Sequence, residues 1–124
     1  MTVLGAGTCI LLPDRAPSGY WVDVGGLRIR LDCGPGSVAA MGRFGLPWRT
    51  LTHQIVTHFH LDHLNDLPAL FFALKYGRAE RRTQPFTVVG PKGIEAMMHG
   101  FVCLYRMRLL DQEFPVRFKE VVPP

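Results

Sequence analysis

The chain has little of what marks several common protein classes. It has three cysteines, Cys9, Cys33 and Cys103, odd in number, widely spaced and free of any CxxC pair. A disulfide framework is not expected from that pattern; small buried thiols in a reducing compartment are. No apolar stretch is long enough to span a bilayer. The opening residues Met1-Thr2-Val3-Leu4-Gly5 lack a basic segment followed by a long apolar one, so no secretory signal is read there. A cytoplasmic location with no membrane attachment is the expectation. Internal repeats, low-complexity tracts and linkers are also missing. Charge is sparse: 19% of residues are charged and the net charge is +4. That excess suits an anionic substrate but is too small to indicate nucleic acid by itself.

What is present suits one globular domain. The chain has 124 residues, 48% of them hydrophobic, enough to bury roughly two thirds of the unfolded surface around one core. Val3-Leu4 reads as a short strand running into a glycine turn. Residues 11–19 carry Pro13, Asp14, Pro17, Ser18 and Gly19 and read as a loop. Residues 20–24 and 27–31 read as a hairpin across Gly25-Gly26, the second arm in strict alternation. Asp32 to Ser37 breaks that strand, and Ser37 is a candidate cap for a short helix over 38–44. Residues 54–57 read as a β-branched strand, 67–76 as a helix stopped by Gly77, 86–89 as a strand, 94–104 as a helix and 114–122 as a last strand. The mixture is α/β.

One window carries the chemistry. His58-Phe59-His60-Leu61-Asp62-His63 holds three of the five histidines and a carboxylate. Imidazole and carboxylate are the usual ligands of zinc, with manganese or iron as alternatives. On an extended backbone side chains two apart point the same way, so His58 and His60 can reach one ion together. Asp62 and His63 follow where the chain turns toward a helix and can face a second point nearby. Two ions about 3.5–4 Å apart can clamp a phosphate or acyl oxygen and generate a hydroxide near neutral pH. Surface histidines in a turn are the plainer explanation, and four such groups at this spacing after a β-branched strand argue against it. His53 and His99 are isolated and read as surface or core-edge residues.

The segment Thr57-His58-Phe59-His60-Leu61-Asp62-His63 resembles the HxHxDH signature of the metallo-β-lactamase fold superfamily. Leu4-Gly5-Ala6-Gly7-Thr8 resembles that family's opening strand and turn. Leu31-Asp32-Cys33-Gly34-Pro35-Gly36-Ser37, Asn65-Asp66-Leu67-Pro68-Ala69-Leu70 and Val88-Val89-Gly90-Pro91-Lys92-Gly93-Ile94 resemble segments of its ribonuclease Z/arylsulfatase-like branch. The resemblance implies the N-terminal half of an αββα sandwich: a mixed, strand-rich sheet with helices on one face, spanning residues 1–124 as a single half-domain. It implies that His58 and His60 bind a first metal and Asp62 and His63 a second, zinc by preference, with Asp62 also a proton acceptor. Asp32 is then a residue that orients a ligand, or simply a turn-former. Thr57 and Asn65 are candidate supports of the loop.

The family supplies three more ligands after the signature: a His, a bridging Asp and a final His. This chain has no histidine after His99, and Asp111 is the one aspartate after Asp66, in a polar turn. Four of the family's seven ligands are therefore present, two for each metal, where catalytic zinc normally has three. The expected activity is hydrolysis of a phosphodiester or related ester, RNA or a small ester, through a metal-bridging hydroxide. The alternative is a non-catalytic half-domain serving as a metal-binding or assembly module. A β-lactam or thioester hydrolase shares the signature, but the DCGPGS and GPKG segments argue against it. A sheet with one uncovered face implies a homo-oligomer or a complementary C-terminal half. Arg78, Arg81, Arg82 and Lys92 are candidate phosphate contacts, although the plain reading of 78–82 is a solvated loop.

Overall fold

A computed structural model describes residues 1–77 and 81–122. Six strands form one sheet in chain order: β1 (Thr2–Gly5), β2 (Gly19–Val24), β3 (Leu27–Leu31), β4 (His53–Ile55), β5 (Phe86–Pro91) and β6 (Val116–Val121). The first three are antiparallel neighbours, and β3 to β6 run parallel. The Gly25-Gly26 hairpin forms as expected, both glycines at positive φ, the conformation such a two-residue turn requires. Helices α1 (Ser37–Arg43), α2 (Leu61–Leu64), α3 (Leu67–Tyr76) and α4 (Ile94–Tyr105) lie in the connections, with a 3-10 turn at Trp48–Thr50. This is the expected α/β architecture.

The helices pack on one face of the sheet. Cross-strand partners share a face, and the register aligns Trp21, Arg30, Gln54, Val88 and Phe118 in one row. Leu4, Trp21, Phe86 and Val88 from that face join Ala40, Met41, Leu64, Leu67, Leu70, Phe71, Ile94 and Met98 from the helices in a single buried cluster. The opposite face carries Tyr20, Val22, Ile29, Leu31, Ile55 and Val89, all half-buried. At its hairpin end Val24 and Leu27 are exposed. The alternation of Leu27-Arg28-Ile29-Arg30-Leu31 is real, but its apolar members line the open face. Arg30 points under the helices and is fully buried.

Two local expectations change. Ser37 does not cap α1; Gly36 does, at φ 87, and Ser37 is the first helical residue. Its hydroxyl is engaged elsewhere, donating to the Gly34 carbonyl at 2.5 Å. The fourth strand is shorter at its end than 54–57. Val56 N–H still donates to Val89 O at 2.8 Å, but Thr57 N–H turns to the Asp32 carboxylate at 2.9 Å and the ladder stops.

Candidate metal centre

The parallel strands place the cluster. Asp32 follows the carboxyl end of β3 and the segment from Thr57 to His63 follows that of β4, so both emerge at the same edge of the sheet, where open α/β folds bind ligands. The two loops are bound together through their backbones. Cys33 N–H donates to His63 O at 2.6 Å, Asp66 N–H to Cys33 O at 2.9 Å and Gly34 N–H to Ser18 O at 2.8 Å. At Gly34 the approach is so close that a Cβ would lie 2.2 Å from the Asp62 carbonyl oxygen. A glycine is required there.

His58, His60 and His63 come together: the His58 ring lies 4.6 Å from that of His60 and 4.1 Å from that of His63, centroid to centroid. Asp62 Oδ2 is 3.5 Å from His63 Nε2. His60 ends the extended stretch and is exposed, whereas Asp62 and His63 sit on α2 and are half-buried. His53 lies in β4, half-buried, and His99 is exposed on α4; neither joins the cluster.

Asp32 is the hub beneath it. It has φ 55, an unusual conformation for a residue other than glycine, and is 5% exposed. Its Oδ2 accepts from His63 Nδ1 at 2.6 Å and from Ser18 Oγ at 3.0 Å. Its Oδ1 accepts from Thr57 N–H at 2.9 Å and Thr57 Oγ1 at 2.8 Å. Burial pushes the carboxyl pKa up, but the hydrogen bonds from His63, Thr57 and Ser18 outweigh it and hold Asp32 below the ordinary carboxylate value. An ionised carboxylate only accepts, so His63 carries a proton on Nδ1, and in its neutral form the lone pair is on Nε2. The same logic reaches His58. The Thr57 hydroxyl gives its one proton to Asp32, so at 3.0 Å from His58 Nδ1 it accepts, leaving His58 Nε2 free as well. Thr57 and Ser18 thus matter to the site. Ser18 carried no sequence signal, since it lies in a loop 14 residues from Asp32.

The donor set suits a divalent ion. Free imidazole nitrogens, each fixed by a hydrogen bond at the other ring position, and an adjacent carboxylate match divalent-ion chemistry. Among the described residues no three His, Cys, Asp or Glu side chains converge on one ion position. The His58 ring stands between those of His60 and His63, and Asp62 lies beside His63.

The family model of the metallo-beta-lactamase superfamily matches residues 13–115. The chain belongs to the metallo-β-lactamase superfamily. A ribonuclease Z of Agathobacter rectalis is 32% identical over 117 residues, covering 94% of this chain and 36% of that protein. One from Halorubrum lacusprofundi is 33% identical over 123 residues, covering 99% and 37%. The crystal structure of the short form of human tRNase Z superposes with a TM-score of 0.83 at 27% identity, covering 99% of this chain and 46% of that one. The chain thus spans just over a third of the length of the curated relatives it matches.

The basic residues divide. Arg82 is a strut, not a free cation: its guanidinium donates to the carbonyls of Gln84, Arg49, Leu51 and Pro85 and lies over the rings of Phe114 and Phe86. Its desolvation lowers its pKa to about 10. The expectation that Arg82 contacts phosphate is corrected accordingly, since its donors are engaged. Arg81 is exposed and pairs with Glu113 at 3.8 Å. Lys92 is exposed in the turn before α4. Arg78 lies outside the described residues. Asn65 contributes its N–H to Leu61 O, closing α2. Among the described residues no helix is long and apolar enough to cross a membrane.

Proposed function

We propose that this chain supplies the first half of the dinuclear centre of a ribonuclease Z-like hydrolase that cleaves a phosphodiester in RNA or a related small ester. The observation that carries this reading is the Asp32–His63 hydrogen bond of 2.6 Å beside the His58–His60 pair, which readies imidazole nitrogens for metal at the carboxyl edge of the sheet. His58 and His60 would hold one ion, Asp62 and His63 the other. Zinc suits this donor set best, with manganese or iron as alternatives. Such ions supply Lewis acidity toward a phosphoryl oxygen and lower the pKa of water. The chain's own part is orientation and proton handling. Asp32 and Thr57 fix the tautomers of His63 and His58, and Asp62, half-exposed at the start of α2, accepts the proton lost by the attacking water.

Completion of the site would come from a C-terminal half or from a second copy of the chain. The half-buried row of Tyr20, Val22, Ile29, Leu31, Ile55 and Val89 supports this, because an apolar sheet face of this kind requires a cover in water. Light scattering tests it; a stable monomer that binds no apolar dye would count against a covering partner. That no three ligand side chains converge among the described residues also favours a second reading, a metal-binding module without turnover. Metal analysis and hydrolysis of bis(p-nitrophenyl) phosphate separate the two. Near two equivalents of metal, with activity lost in His60→Ala and Asp62→Ala, supports the hydrolase. Metal without hydrolysis supports the module, and unchanged activity in both variants removes the site assignment.

A further inference from the structure

We propose that Arg30 and Gln54, on the helix-covered face of the sheet, are positioning residues that set the orientation of the His63 imidazole through the Asp32 turn. The proposal rests on the reading of the His58–His63 cluster as a metal centre for its purpose, though not for its geometry. The two residues are direct cross-strand neighbours on β3 and β4, and both are fully buried. Interior sheet positions are ordinarily aliphatic, because a buried polar group without partners is unfavourable. Here a guanidinium and an amide occupy the middle of the core-facing row, and neither is fully satisfied. Arg30 Nε and Nη1 and Gln54 Oε1 have no hydrogen-bond partner.

The donors that are engaged all lead to one place. Gln54 Nε2 donates to Asp32 O at 3.2 Å and to Ile55 O at 3.0 Å. The first of these holds the backbone of the residue that sits at φ 55. Arg30 Nη2 donates to Ser37 Oγ at 2.5 Å, and Ser37 Oγ donates to Gly34 O at 2.5 Å. Gln54 thus anchors the start of the turn from Asp32 to Ser37, and Arg30 anchors its far side through Ser37. The side chain of Asp32 leaves this anchored turn to accept from His63 Nδ1. A left-handed backbone is uncommon at a non-glycine residue, least so at Asp, and surrounding contacts hold it here. Gln54 and Arg30 provide those contacts from below while Thr57 and Ser18 provide them from the side.

The test uses the full chain and the variants Arg30→Met and Gln54→Leu, which keep apolar volume and remove the donors. The first readout needs no metal: the ¹⁵N shifts of His63 in the chelator-treated protein, which report whether Nδ1 carries a hydrogen-bonded proton. The wild type is expected to show the Nδ1–H tautomer, and each variant a mixture of tautomers. The second is cobalt(II) affinity, read by the visible absorption of the bound ion, expected to fall by about tenfold or more. The third is thermal unfolding without metal, expected to change little. Arg30→Lys, which can still donate to Ser37, should restore the tautomer. Where Arg30→Met fails to fold, Ser37→Ala breaks the same route with a small change of volume. Retention of the wild-type His63 signature in the folded variants would overturn the proposal. If the wild type shows the tautomer but binds no cobalt, the metal-centre reading falls, and the positioning role stands or falls on the ¹⁵N shifts alone.

Discussion

Asp32→Asn replaces one carboxylate oxygen by an NH₂ group and should disturb both the fold and the centre. The wild-type carboxylate accepts four hydrogen bonds, from Ser18 Oγ, Thr57 N–H, Thr57 Oγ1 and His63 Nδ1. Bonds to a charged group contribute about 1.5–3 kcal/mol each, against about 1 for neutral ones. The side chain is 7% exposed, so solvent screening removes little of this. An asparagine carbonyl can still accept from Thr57, but its NH₂ group faces Ser18 and His63. His63 must then accept at Nδ1, which moves its proton to Nε2 and occupies the lone pair a metal needs. The net loss of stability is about 2–3 kcal/mol, or about 10 °C in Tm for a chain of this length. Affinity for zinc should fall by about 10- to 100-fold. The sign of the pH dependence is also fixed. Because the folded-state pKa of Asp32 is depressed, its ionised form stabilises the protein above the ordinary carboxylate value of about 4, and that contribution is lost as the pH falls through the lower folded value. Calorimetry of the metal-free protein between pH 2 and 7, an experimental range of about five units, measures this directly. Zinc titration against a chelator measures the second effect. An asparagine variant with wild-type Tm, wild-type acid sensitivity and wild-type zinc affinity would refute the network.

Gly34→Ala should abolish soluble expression, since the added Cβ meets the Asp62 carbonyl oxygen at 2.2 Å and Ser18 O at 2.9 Å, both backbone atoms; a soluble, cooperatively folding alanine variant would contradict the packing of the two loops. Arg82→Ala should lower stability by about 2–4 kcal/mol, because carbonyls of four residues lose a charged donor; an alanine variant with wild-type Tm would contradict the strut. Burial pushes the Cys33 thiol up to about 12, and Cys9 and Cys103 are exposed. Iodoacetamide at neutral pH should therefore label the latter two and spare Cys33 until the chain unfolds, as mass spectrometry of the peptides would show.

Features that depend on short stretches of chain were readable from the sequence. Gly25-Gly26 between alternating arms produces its hairpin, and the β-branched run before His58 enters β4, although only Gln54 and Ile55 of it are strand. The histidine cluster was readable because its members are neighbours in sequence. What brings Ser18 and Thr57 to one carboxylate was not readable, because it depends on β2, β3 and β4 lying side by side. Ser37 reads as a cap because a serine before a helix normally bonds the helix's own N–H groups. Here a buried arginine seven residues earlier donates to it instead. Arg82 reads as a solvated cation because two of its carbonyl acceptors, those of Arg49 and Leu51, lie more than thirty residues away.

The least readable element is β3, and it bears most directly on function. In Leu27-Arg28-Ile29-Arg30-Leu31 the usual inference sends the leucines and isoleucine inward and the arginines to water. The fold does the opposite with Arg30, which lies under the helices beside Gln54, while Ile29 and Leu31 stay half-exposed on the other face. Both outcomes are consistent if the sheet has two covered faces and the metal centre stands at its edge. The apolar residues then await a cover on the open side, and the polar pair on the closed side holds the Asp32 turn. Replacing Ile29 by lysine separates these roles. It leaves the Arg30–Ser37 and Gln54–Asp32 bonds intact, so the His63 tautomer should be unchanged. Any self-association or capture of a complementary half through the open face should weaken, because a charge buried without a partner is strongly unfavourable.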